Sequence, residues 1–183
     1  MAAFLLRLLF VTASGSFALA QTPAGPPPPP EECRQFDFWL GEWDVTSPDG
    51  RPAGTNRIEK IAGGWGIIEH WQGVAGGAGK SLNAYHPARR AWQQFWVGMG
   101  GILELSGGLN PEGEMVLNGE SRGRDGRVRL DRVTWTPRAD GTVRQHWQVS
   151  TDSGATWTTS FDGLYRRRAG KPSPAEVRLP AGS

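Results

Sequence analysis

The residues of this chain best equipped for chemistry are Glu69, three histidines and one cysteine. Glu69 opens the triple Glu69-His70-Trp71, whose form recurs in Gln94-Phe95-Trp96 and Gln145-His146-Trp147. A carboxyl enclosed by tryptophans is desolvated, so its pKa rises toward the range where it exchanges a proton near neutrality. Such a group serves as a general acid or base, for example in an isomerase or dehydratase, or fixes a ligand hydroxyl or amine. The spacing sets no second catalytic group beside it, which favours the binding role. His70, His86 and His146 are too scattered for a metal-ligand spacing. No Ser-His-Asp order, Gly-x-Ser-x-Gly elbow or phosphate loop is present, and no catalytic residue, metal ligand or cofactor is assigned. Cys33 stands alone, outside the predicted core. It has no internal disulfide partner and is left to pair with a second chain or a small thiol, or to stay free.

These triples need strands to position them. In an extended chain alternate residues share a face, so Glu69 with Trp71, Gln94 with Trp96 and Gln145 with Trp147 point one way. His70, Phe95 and His146 point the other. Trp92 joins Gln94 and Trp96, and Asn83 with Tyr85 makes a similar pair on the intervening strand. The predicted lumen-facing set is therefore Glu69, Trp71, Asn83, Tyr85, Gln94, Trp96, Gln145 and Trp147. A mostly apolar wall with a few placed polar groups is the usual make-up of a small-molecule site. The competing arrangement is a filled lumen in which Glu69, Gln94 and Gln145 satisfy one another or the indole N–H groups. Nine tryptophans exceed what a core requires, which favours the ligand site. Arg132 faces either way, depending on a bulge in its strand.

Ten short runs carry strand patterning, near residues 42–47, 55–62, 66–72, 81–85, 91–98, 102–107, 114–121, 127–136, 142–150 and 156–166. Turn residues divide them, including Pro48-Asp49-Gly50, Pro111-Glu112-Gly113, Asp125-Gly126 and Asp140-Gly141. Short links make sequential neighbours antiparallel. The expected fold is all-β, a single antiparallel up-and-down barrel of about ten strands, like a lipocalin or fatty-acid-binding protein. Phe36, Phe38, Trp39, Gly41 and Trp43 are expected to seal one end. Ser150-Thr151-Asp152-Ser153-Gly154-Ala155-Thr156-Trp157 fits the Asp-box pattern once, without a propeller repeat, and reads as a stable hairpin.

The ends differ from this domain, which is assigned to residues 35–167. Arg7, the apolar stretch from Leu8 to Val11 and Ala18-Leu19-Ala20 make residues 1–20 a signal peptide cleaved after Ala20, so the protein is expected to be secreted or periplasmic. The stretch is too short to span a bilayer. Residues 21–34 form a linker with five consecutive prolines, Pro26 to Pro30, a spacer or a proline-motif ligand. Residues 168–183 read as a disordered basic tail. The whole chain carries +2; removing Arg7, and then five bases and Glu176 from residue 166 onward, leaves 14 bases against 17 acids, a net of −3. A nucleic-acid surface on the domain is not supported.

The run Phe36-Asp37-Phe38-Trp39-Leu40-Gly41-Glu42-Trp43 resembles the N-terminal signature of a bacterial family of exported proteins of unknown function. The resemblance continues through Glu69, Ser81-Leu82-Asn83-Ala84-Tyr85, Trp92 to Gly98, Gln145-His146-Trp147 and the Asp-box run. It implies a lipocalin-like barrel and brings no catalytic residues with it. Gly41-Glu42-Trp43 is also similar to the lipocalin Gly-x-Trp, where a late arginine packs over the tryptophan; Arg166 or Arg167 would be that arginine.

Three classes of function follow. The first is a carrier or sensor of a small amphipathic or aromatic ligand. The second is an enzyme working in the same lumen through Glu69, with a haem-binding barrel beside it. The third is an envelope protein-interaction module with a filled barrel.

Overall fold

A computed structural model describes residues 25, 27–123 and 126–168. The expected signal peptide, the linker residues 21–24 and 26, and the tail from residue 169 lie outside the described residues. So does Asp125, half of the expected hairpin tip.

Ten strands form a closed antiparallel barrel in which each is paired to its sequence neighbours and the first closes on the last. They are β1 (Gly41–Thr46), β2 (Pro52–Ile61), β3 (Gly66–Gly73), β4 (Ala78–His86), β5 (Ala91–Gly98), β6 (Gly101–Leu109), β7 (Met115–Arg122), β8 (Val128–Pro137), β9 (Val143–Ser150) and β10 (Thr158–Arg167). Four of the links share one geometry. In each a glycine (Gly50, Gly113, Gly126 or Gly141) takes φ near +80° and its N–H bonds the carbonyl three residues back. A type I turn followed by a left-handed glycine twists with the strands it joins, which is why glycine ends each of these loops.

The lumen is divided. Its sealed half is packed solid by Trp39, Trp43, Trp92 and Trp135, all essentially inaccessible, with Phe36, Ile58, Ile67, Met115 and Leu117 between them. Phe36 stacks on Trp39 at 4.9 Å between ring centroids and meets Trp92 and Trp135 edge-on. Trp39 enters this plug from the 3-10 turn Asp37–Trp39, which Lys60 and Asp37, at 2.8 Å, tie to β2. Phe38 is only half-buried and packs against the rim of the same cluster.

β1 and β10 are fastened at the sealed end. The Arg167 guanidinium lies 4.4 Å from the Trp43 ring centre, and its Nη1 donates to the Leu40 carbonyl at 2.9 Å. Trp43 in turn donates its indole N–H to the Trp39 carbonyl at 2.9 Å. Gly41 leaves the space for this: it adopts φ +129°, and a Cβ there would stand 2.5 Å from Arg167 Nη1. Of the two arginines expected to fill the lipocalin-type role, Arg167 does so, and Arg166 bonds Thr46 on the outer surface.

The expectation that Cys33 lies outside the core is corrected. A 3-10 turn, Glu31–Arg34, lies against the sealed end, and Cys33 is 1% exposed. Gln35 accepts a hydrogen bond from Trp92 Nε1 at 3.1 Å, which ties the segment after this turn to β5.

Candidate functional site

The other half of the lumen is open. A cavity of about 200 Å³ is lined by Glu69, Trp71, Gln94, Trp96, Gln145 and Trp147, with Leu103, Val133, Ser160, Phe161 and Tyr165 completing its wall. It continues into a vestibule of about 390 Å³ reaching Met99, Ile102 and Arg129. The filled-lumen arrangement therefore describes the sealed half alone.

The three triples converge here as their alternation predicts, through the registers Ser81↔Trp96 and Val133↔Trp147 and the antiparallel neighbours of β3. Their middle residues face outward. His70 Nε2 lies 3.2 Å from Glu59, His146 Nε2 lies 3.0 Å from Thr159 Oγ1, and Phe95 is exposed. His86 caps the turn after β4. No histidine lines the cavity, which leaves the haem reading without a histidine axial ligand in the lumen. Arg132 also faces out, 4.1 Å above the Trp157 ring.

Two predicted lumen residues sit elsewhere than expected. Asn83 is fully buried one layer beneath the cavity, where it supports the polar groups above it. Tyr85 packs against Trp92 at the sealed end, 6.3 Å between ring centroids, and does not line the cavity. Its face is right and its depth is wrong, because residues two apart on a strand differ by about 7 Å along it.

Glu69 is the chemical centre. It is 3% exposed, its Oε1 accepts from Asn56 Nδ2 at 2.7 Å and its Oε2 accepts from Ser81 Oγ at 2.6 Å. Asn83 Nδ2 donates to Ser81 Oγ at 2.9 Å, and Gln94 Nε2 donates to Asn83 Oδ1 at 2.8 Å. Donors thus run from Gln94 through Asn83 and Ser81 to Glu69, and a second arm reaches it from Asn56. Burial pushes the Glu69 carboxyl up to about 7, with the Ser81 and Asn56 hydrogen bonds pulling part of the way back. Burial, with the Glu69 charge second, drives the Tyr165 hydroxyl well above its usual range; it stays protonated and donates to Gln145.

The mouth aromatics are held by different means. The Trp96 ring presses on Gly79, where a Cβ would stand 2.2 Å from Cζ2, and the Trp71 ring presses on Gly54, at 2.6 Å from Cη2. Trp147 donates its N–H to the buried Asp131 at 2.8 Å, and Arg129 sits 3.5 Å from that carboxylate. A bulge in β10 between Thr159 and Phe161 sets Phe161 opposite Trp147 and edge-on to Trp71, with Ser160 on the wall.

Sequence reasoning missed Asn56, Ser81, Tyr165, Phe161 and Asp131. Asn56 and Asp131 carried a legible signal, being polar residues in phase with the apolar Ile58 and Val133. Ser81 shares its face with Asn83. Tyr165 and Phe161 needed knowledge of the barrel closure.

The Asp-box run forms the turn between β9 and β10. Asp152 accepts from the Thr156 N–H at 2.9 Å, Ser150 Oγ accepts from the Gly154 N–H at 2.9 Å, and the Trp157 indole N–H bonds the Gly154 carbonyl. Hydrogen bonds from the Thr156 hydroxyl, the Thr156 N–H and the Ser150 hydroxyl hold Asp152 down at about 2, and the motif is occupied with closing its own turn.

Among the described residues no helix is long and apolar enough to cross a membrane, and no group of three acidic, histidine or cysteine side chains is placed to hold a metal ion. Compared with models of known protein families and with curated proteins, the chain matches none.

Proposed function

We propose that this chain is an exported small-molecule-binding barrel that carries or senses a small amphipathic or aromatic ligand in the open half of its lumen. The observation that carries this reading is the asymmetry of the lumen. One half is packed solid by four inaccessible tryptophans, while the other keeps a cavity of about 200 Å³ walled by Trp71, Trp96, Trp147 and Phe161 around one carboxyl. Apolar walls with a few oriented polar groups are how small-molecule sites are built. Export rests on the apolar stretch and Ala18-Leu19-Ala20, and membership of the exported family rests on the run from Phe36 to Trp43.

Native mass spectrometry of the protein purified from an exporting host tests it. A reproducible extra mass, released on denaturation, is the expected result. A clean apo mass, repeated after incubation with an envelope extract, overturns it in favour of an interaction module.

One observation favours a second reading. A Glu69 carboxyl near 7 has the proton affinity of a general acid or base. Turnover of the released compound that disappears in Glu69→Gln would make the barrel an enzyme.

A further inference from the structure

We infer that the ligand is a small protonated amine, its ammonium seated on Glu69 and its apolar body among Trp71, Trp96, Trp147 and Phe161. This rests on the binding reading above and names its ligand class.

The first ground is the direction of the hydrogen bonds. Gln94 donates to Asn83, Asn83 to Ser81 and Ser81 to Glu69, while Asn56 donates to the other carboxylate oxygen. Each donor on these two arms points toward Glu69, an arrangement that favours negative charge there. A carboxylate has about four acceptor sites, and two are used. Because Asn56 turns its amide nitrogen to the carboxylate, its Oδ1 is left buried without a donor. That oxygen lies behind the cavity wall, and the free acceptor capacity that meets the cavity is that of the Glu69 carboxylate.

The second ground is charge. The cavity wall holds one carboxyl and no lysine, arginine or histidine. Around Glu69, β2 supplies Asn56, β4 supplies Ser81, and across the lumen β9 and β10 supply Gln145 and Tyr165, none of them cationic. On β2 and β4 the charged neighbours Arg57, Glu59 and Lys80 alternate out of phase with Asn56 and Ser81 and lie on the outer surface. Asp131 on β8 is occupied by Trp147, Ser121 and Arg129, so the nearest cation at the mouth already has a partner. A buried carboxylate ordinarily has a counter-charge. Here the place for one opens into the cavity.

The third ground is the wall itself. Three indoles and a phenyl ring beside an anion make a favourable surround for an ammonium group, through ring faces as well as the carboxylate. An anionic ligand of the same size would be repelled by the Glu69 carboxylate, and a neutral hydroxyl would match one of its acceptors without supplying the counter-charge. The cavity volume suits a monoamine with a single aromatic or short aliphatic body.

The test compares three probes of nearly one shape, 2-phenylethylamine, 2-phenylethanol and phenylacetate, by calorimetry on the folded protein. The amine is expected to bind at least tenfold more tightly than the alcohol, with phenylacetate weakest, and Glu69→Gln is expected to reduce the amine to the level of the alcohol. Amine affinity should rise as pH increases through about 7, and amine binding below that pH should release a proton to the buffer. That proton release is read on the wild type, so the inference is tested even where the variant fails to fold. Equal affinities for amine and alcohol would overturn the amine assignment while leaving a binding barrel in place. Failure of all three probes also overturns it, and the mass-spectrometric test then decides the binding reading separately.

Discussion

Arg167 and Trp43, 124 positions apart, meet at 4.4 Å and join the last strand of the barrel to the first. The guanidinium lies over the indole and also bonds the Leu40 carbonyl, so one side chain closes the seam and holds the segment leading to the Trp39 plug. Arg167→Ala removes a ring contact and a charge-assisted hydrogen bond. We expect a loss of about 1–2 kcal/mol, read as a lower urea midpoint with an unchanged slope. Gly41→Ala should be at least as damaging, since it forces a strained φ and displaces the same guanidinium.

Glu69 makes the stability of the barrel depend on pH in an unusual direction. Its carboxyl is raised from 4.5 to about 7 in the folded protein, so between those values the folded state holds a proton that the unfolded chain has lost. Stability from this group is fully present below 4.5, falls as pH rises toward 7, and is level above. The shift corresponds to about 3 kcal/mol. Urea unfolding of wild type and Glu69→Gln at about pH 5 and about pH 8 should show the wild type losing roughly that amount relative to the variant. Parallel curves would place the Glu69 carboxyl at its ordinary value.

Gly79 and Trp96 form a matched pair at the mouth. In Gly79→Ala the new methyl would stand 2.2 Å from the ring, so the indole must leave its seat. The expected cost is about 1–3 kcal/mol, as for other overpacked sites. Near-ultraviolet circular dichroism should change with it. An unaltered aromatic spectrum at wild-type stability would mean that the ring does not rest on this strand.

Cys33 is buried, and burial, with Glu32 second, raises its thiol above the usual range. Both effects suppress the thiolate. A disulfide-exchange reagent at mild alkaline pH should label the unfolded protein promptly and the folded protein at the rate of unfolding. Rapid labelling of the folded protein would show that the turn Glu31–Arg34 opens readily.

The ten strands were legible because each is short, alternating and bounded by a residue that ends it, as Gly50 ends the first hairpin loop and Gly141 the eighth. The face of each site residue was legible for the same reason, and Glu69, Gln94 and Gln145 fall together on the cavity wall. Depth was not, since period two reports a side and not a height in a staggered barrel; Tyr85 shows this. Nor was the donor relay, because it runs through the registers Glu69↔Ser81 and Asn83↔Gln94, which link residues 11 and 12 apart. Cys33 was misplaced because its turn is too short to carry a periodicity. The pairing of Trp96 with Gly79 depends on two strands meeting, and a glycine alone on β4 signals only weakness there.

The first and last described stretches of chain both lie at the plugged end, where the Arg168 N–H bonds the Glu42 carbonyl beside the seam. The mouth faces the opposite way. A domain joined directly at residue 168 would therefore meet the barrel at its plugged end, away from the opening. A circular permutant that splices residue 168 back to the start of the plug and opens a mouth-side hairpin would reverse that polarity, turning the opening toward the joined domain.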